Sequence, residues 1–275
     1  MRRLGGRLQA CLRPCIRPPD PQQSPRNHGW TLVLKPQVVP RSTTQNPHRT
    51  ALAAALLLAC LMAAVLSLWP GDAGGAARKV TVLGQSQTTP PPACPKSPCE
   101  AVGSVSGFQT KTGSVSDPMV APYNGKVVAW SISLSKPKAS QQSFFNNFYG
   151  TPPEARIGVV RQIPNKTPPR YQLLSQTPTV NLTPFLGSDV TFALDTPLNI
   201  KKGDIVALTI PTWAPAFAVG LTDSSGWRAS RKTGKCTRTA DIKESHPQQK
   251  IDSNKQYGCF YKTARLLYTA SVVKG

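Results

Sequence analysis

Histidine is nearly absent from this chain, with three in 275 residues, and acids are scarce, 12 against 33 Lys and Arg. Both shortages limit the available chemistry. In the C-terminal two thirds only His246 remains, inside the polar stretch "ESHPQQK". A Ser–His–Asp set would need Asp241 or Asp252 and a serine that nothing marks, because no G-x-S-x-G occurs. A solvated loop histidine is the simpler expectation. There is also no P-loop, no G-x-G-x-x-G, no C-x-x-C and no Asp-rich calcium loop. No cofactor and no metal are therefore expected. Two carboxylates can run a glycosidase without histidine. The acids from Glu100 to Asp252 fall mostly at turns, where Asp caps its own backbone, and no pair announces itself.

Charge is missing altogether from Thr50 to Gly71. Within that stretch Ala51–Trp69 is apolar but for Ser67, 19 residues in all. At about 1.5 Å per residue it just crosses a hydrocarbon layer of about 30 Å. Residues 1–49 hold nine Lys or Arg and one acid, which predicts a cytoplasmic N-terminus and an exported C-terminal part. The run reads as a signal anchor, or as a signal peptide cleaved near Ala77, where Gly75 and Ala77 supply small residues. Its length favours the anchor. The leading 49 residues are rich in Pro and Arg without apolar periodicity and are expected to be disordered. A start misassigned upstream is the alternative, since translation from near Val38 gives an ordinary short n-region. Residues 72–93 read as a Pro-rich spacer ending in "TTPPPA".

Residues 94–275 read as one extracytoplasmic domain with strand after strand. "KVVAWSISLSK" alternates, so Val128, Trp130, Ile132 and Leu134 are expected to share a face. Further short runs lie at 101–110, 155–163, 170–177, 189–194, 204–210, 217–222 and 264–273, separated by Gly, Pro and Asn turns. The pattern predicts an all-β fold: a single jelly-roll-like antiparallel β-sandwich of about eight or nine strands, after one N-terminal transmembrane helix. "PLNIKKGDIVALTI" reads as a hairpin turning at Gly203. One segment breaks the rhythm. In "KASQQSFFNNFYGTPP", Phe144 with Phe148 and Phe145 with Tyr149 are i,i+4 pairs, so a short helix with an aromatic face is expected, stopped by Gly150 and two prolines. That face is either a lip over a groove or a plug at one end of the sandwich.

Four cysteines fall in the exported part, and Cys94–Cys99 and Cys236–Cys259 are the expected disulfides. The second would staple a polar loop that otherwise has little to hold it. Residues 94–275 carry 22 basic and ten acidic residues, and the stretch 228–262 alone has nine and three. Such a surface draws polyanions, which outside a membrane means an anionic wall polymer, an acidic polysaccharide or lipid heads; nucleic acid is not the expected partner. Trp213 and Trp227 flank a strand, and exposed aromatic faces bind sugars. Candidate polyanion or glycan contacts are thus Trp213, Trp227, Arg228, Arg231, Lys232 and Lys235. A basic arm before a jelly roll is also a capsid-protein layout, but the uncharged run argues against it.

The segments "MVAPYNGKVVAWSISL", "ARIGVVR", "LNIKKGDIVALTIPTWAPAFAV" and "WRASRKTGKC" resemble a broad group of uncharacterised exported β-sandwich proteins from high-GC Gram-positive bacteria. The resemblance implies a signal or anchor followed by one sandwich, and no activity. The leading expectation is a non-catalytic cell-envelope module for anionic or carbohydrate polymers, held to the membrane through residues 51–69. The alternative is an extracytoplasmic glycan hydrolase using paired carboxylates. The anchor predicts an intact chain in the membrane fraction of cells. An N-terminal peptide beginning near Arg78, recovered from the medium, would identify cleavage instead.

Overall fold

The computed structural model describes residues 79–275. The expected transmembrane helix and basic N-terminal segment lie outside the described residues, among which no helix is long and apolar enough to cross a membrane. Fifteen strands follow in chain order: β1 (Val80–Leu83), β2 (Val102–Thr112), β3 (Val115–Ser116), β4 (Gly125–Ser133), β5 (Glu154–Ile163), β6 (Arg170–Gln176), β7 (Val180–Asn181), β8 (Asp189–Ile200), β9 (Ile205–Ala214), β10 (Phe217–Val219), β11 (Ser225–Ala229), β12 (Asn254–Gln256), β13 (Cys259–Lys262), β14 (Ala264–Leu266) and β15 (Tyr268–Lys274). Two α-helices interrupt them, α1 (Ala139–Tyr149) and α2 (Thr239–Lys243).

The strands form two antiparallel sheets and a short β10–β14 pair. The small sheet runs β1-β15-β4-β8, and the large one β12-β6-β5-β9-β2-β11-β13, with β3 and β7 added at the sides. An all-β fold is what the alternating runs predicted. The inner faces share one core, in which Trp130, Ile132, Ala270 and Val272 of the small sheet join Ile157, Val159, Leu208 and Trp227 of the large one. The central strand β9 is buried along nearly its whole length, which explains why "IVALTI" is a continuous apolar run.

Three expectations need correction. First, β8 and β9 are not a hairpin. The chain turns at Lys201–Asp204 and passes from the small sheet to the large one: β8 pairs with β4, whereas β9 lies between β2 and β5. An apolar strand with neighbours on both edges is worth more to the core than one at the rim of a hairpin. Gly203 takes the turn at φ +88, and the Asp204 carboxylate closes it, accepting from Lys201 N at 2.9 Å and from Arg161 Nε and Nη2 at 2.7 and 2.9 Å. Second, in β4 the core phase slips. Against β15 the pairing skips Val128, between Val127 and Ala129, so Val127 enters the core while Val128 does not. A bulge does this by adding one residue to one strand. Third, the segment read as a spacer is partly structural, because Val80–Leu83 pairs with β15.

Along β2 both faces are covered, from Val102 to Gln109. Part of the cover is α1. Its aromatic face turns inward: Phe145 stacks 5.1 Å from Trp213, and Tyr149 lies over Gly103, where a Cβ would come within 2.6 Å of the ring. Cys94–Cys99 and Ile242 complete this second cluster. The aromatic segment therefore packs on the sheet, over Gly103 and Trp213, and not as an open lip. Removing the buried Asp204 carboxylate is expected to loosen the turn between the sheets. Asp204→Ala should destabilise the domain by about 2–3 kcal/mol in urea unfolding; an unchanged midpoint would show that the arch holds without it.

Candidate functional site

The rest of the cover over β2 is the basic stretch that follows β11. It is polar and has almost no apolar residues of its own, so side-chain hydrogen bonds hold it down. Ser230 exchanges two with β2: its N–H donates to Ser106 O at 2.8 Å, and its Oγ accepts from Ser106 N at 2.9 Å. Arg231, 4% exposed, donates from Nη2 to Gly103 O at 3.0 Å, from Nη1 to Tyr261 OH at 2.9 Å and from Nε to Ser245 Oγ at 3.3 Å. Further on, Gln248 is buried. Its N–H donates to Ser106 Oγ at 2.9 Å, its Nε2 to Tyr171 O at 3.1 Å and Ser253 O at 2.7 Å, and its Oε1 accepts from Tyr257 OH at 3.0 Å. Burial raises the Tyr257 phenol far above its ordinary range, so it stays a donor. Cys236–Cys259 ties the stretch to β13 as expected, with the Cα atoms 5.5 Å apart.

Pinned this way, the stretch forms two adjoining hollows. One, of about 340 Å³, is lined by Arg231, Lys232, Lys235, Asp241, Glu244 and His246, among others. The other, of about 500 Å³, carries the cations Arg170, Lys232, Lys250 and Lys255 and no carboxylate. Ser230, Lys232 and Lys255 line both, so they form one trough. Burial lowers the Lys255 ammonium below its usual range, and the neighbouring Lys232 charge lowers it further. Lys255 donates to the His246 carbonyl, a neutral acceptor. The acids sit at one end. The Asp241 carboxylate accepts from Arg238 Nε and Lys235 Nζ, each at 2.6 Å, and these hydrogen bonds hold it below the usual carboxylate range.

The site residues expected from the sequence separate into two groups. Arg231, Lys232 and Lys235 come together in the trough. Trp213 and Trp227 do not: each is 0% exposed, which corrects the expectation of sugar-binding aromatic faces. Trp213 donates to Asn146 Oδ1 at 2.8 Å and anchors α1, while Trp227 packs on Phe217 and Tyr261 in the main core. Large apolar rings gain more from burial than a thin sandwich of this size can forgo. Arg228 is half-buried over the ring of Phe260, 5.6 Å from its centroid, and donates to Tyr257 O outside the trough. Arg231 itself acts as an anchor at the trough's floor. Three further cations line the trough. Lys250 and Lys255 belong to the basic stretch, where nothing in the local sequence distinguishes them from its other cations. Arg170 lies some 60 residues earlier by sequence and arrives only because β12 pairs with β6, Gln256 opposite Arg170.

Two of the candidate carboxylates are engaged in ion pairs. Asp241 is ion-paired and held ionised, the wrong state for a general acid. Asp204 is locked to Arg161. Among the described residues no group of three His, Cys, Asp or Glu is placed to hold a metal. Compared with known proteins, the chain matches no family model, no curated protein and no solved structure.

A carboxylate whose folded pKa is depressed stabilises the fold above its unfolded value, about pH 4. Stability from Asp241 is thus present at neutral pH and is lost as the pH falls through its depressed folded value. Asp241→Asn should be less stable than the wild type at neutral pH, and the difference should shrink on acidification. A difference that stays constant down to about pH 2 would mean that the pair with Arg238 and Lys235 does not form.

Proposed function

We propose that this chain is a non-catalytic cell-envelope protein whose β-sandwich binds an anionic polymer outside the cytoplasmic membrane. One observation carries the reading: Arg170, Lys232, Lys250 and Lys255 converge on the one of the trough's two hollows that no carboxylate lines, where Lys255 is held against burial and a like charge. A folded protein gains nothing from that crowding by itself. A chain of negative charges laid along the trough relieves it. The two disulfides favour an oxidising compartment, and the uncharged run of residues 51–69 supplies the anchor or signal that would deliver the domain there. The passage of the chain between sheets, from β4 to β5 and from β8 to β9, supports a jelly-roll-like arrangement. With both tryptophans buried, charge and not ring stacking is the recognition principle.

The test is binding of poly(glycerol phosphate) against neutral dextran at two salt concentrations. The account expects binding of the phosphate polymer that weakens steeply with salt, since exposed charges are screened over about 8–10 Å. Lys232→Glu with Lys250→Glu should weaken it by about tenfold or more while leaving the fold intact, because both side chains are exposed. Equal retention of both polymers, or no effect of salt, would sink the reading.

A further inference from the structure

Away from the basic trough, a cavity of about 470 Å³ opens between the segment after β1, the β2–β3 turn and the connection from β10 to β11. Its wall is rich in hydroxyls, with Ser86, Thr112, Ser114, Thr222 and Ser225, and its charged member is Arg265. Arg265 lies on β14 and is 5% exposed. Nη1 donates to Ser86 Oγ at 2.6 Å and Thr88 O at 3.2 Å, and Nη2 donates to Gly84 O at 3.0 Å. All three acceptors are neutral. Nε has no hydrogen-bond partner among the described residues, and neither has Oγ1 of Thr112, which is 3% exposed. Burial alone lowers the Arg265 pKa, with no carboxylate acting against it.

This differs from three other buried charges, Asp204, Asp241 and Arg231. Asp204 and Asp241 have ion-pair partners, and Arg231 engages all three of its nitrogens. A guanidinium left with a buried, unpaired donor and no counter-charge is a standing penalty in the fold, unless an anion is drawn to it. The cavity wall fixes the kind of anion. It offers no second cation and no helix N-terminus, so a single negative charge balances it, which suits a carboxylate better than a phosphate dianion. The hydroxyls around it donate and accept, as a polyhydroxylated ligand requires. The volume falls in the range of small-molecule sites, about 300–1,000 Å³.

We propose that this cavity binds a carboxylate-bearing sugar, with the carboxylate set against Arg265 and the sugar hydroxyls against the Ser and Thr wall. The guanidinium is shielded from bulk water, so the ion pair forms at low dielectric, where it is strongest. The site is separate from the trough and goes beyond polymer binding: it recognises one acidic sugar unit.

The experiment titrates the purified full-length chain, in detergent, with glucuronate, glucose and inorganic sulfate, followed by calorimetry. Saturable binding of glucuronate, at least about tenfold tighter than of either control, is expected. Arg265→Gln should abolish it. Should that variant fail to melt cooperatively, Ser114→Trp decides. Ser114 is exposed on the β2–β3 turn, so a large side chain there fills the cavity mouth without touching the core, and it should weaken glucuronate by about tenfold or more. Glucuronate binding no tighter than glucose or sulfate, or unaffected by Ser114→Trp, overturns the proposal. Ser114→Trp should keep wild-type affinity for poly(glycerol phosphate), so the two sites stand or fall separately.

Discussion

A guanidinium buried without a carboxylate holds the basic loop to the sheet. Arg231 reaches the Gly103 carbonyl on β2, the Tyr261 hydroxyl on β13 and Ser245 within the loop itself. Everything between β11 and β12 depends on this and on Gln248, because the stretch has little apolar surface to bury; Ile242 is its member of the apolar clusters. Fixing a polar chain costs about 1–2 kcal/mol per residue in backbone entropy. Hydrophobic burial cannot offset that here, and hydrogen bonds to a charged donor contribute more than neutral ones. The disulfide from Cys236 to Cys259 shortens the free chain further.

The consequence is electrostatic. A loose basic loop would spread its charges into solvent and screen them. Pinned down, it places Lys232 and Lys255 close enough for one to lower the other's pKa, and brings Arg170 of β6 to the same trough. At the other end of the trough Asp241 is ion-paired with Arg238 and Lys235. Local repulsion is tolerated because the anchors beneath are strong. Such an arrangement concentrates positive charge in the hollow lined by Arg170, Lys232, Lys250 and Lys255.

Much of the fold was legible in the sequence, since period-2 alternation is a direct image of a half-buried strand. The helix at 139–149 and both disulfides were legible too, from i,i+4 aromatics and cysteine spacing. Pairing was not. "PLNIKKGDIVALTI" looks alike as a hairpin or as a bridge between sheets, because turn chemistry at Gly203 serves both. The bulge at Val128 against β15 shifts the phase of β4, and Pro197 marks it only on the facing strand β8. Tryptophan carried the least information: its size favours either a core or a sugar platform, and burial decided for the core. Arg170 could not have been assigned to the site by any local pattern, as it depends on the register of β12 against β6.

The central claim is that the basic loop is preordered by buried anchors. Amide hydrogen exchange in the native full-length chain tests it most directly. The account predicts that Gln248 and Ser230, whose N–H groups donate to Ser106, exchange as slowly as the amides of β2 and β9. Exchange of these two amides at the rate of an open surface loop would contradict it, and the trough would then be an accident of a flexible chain.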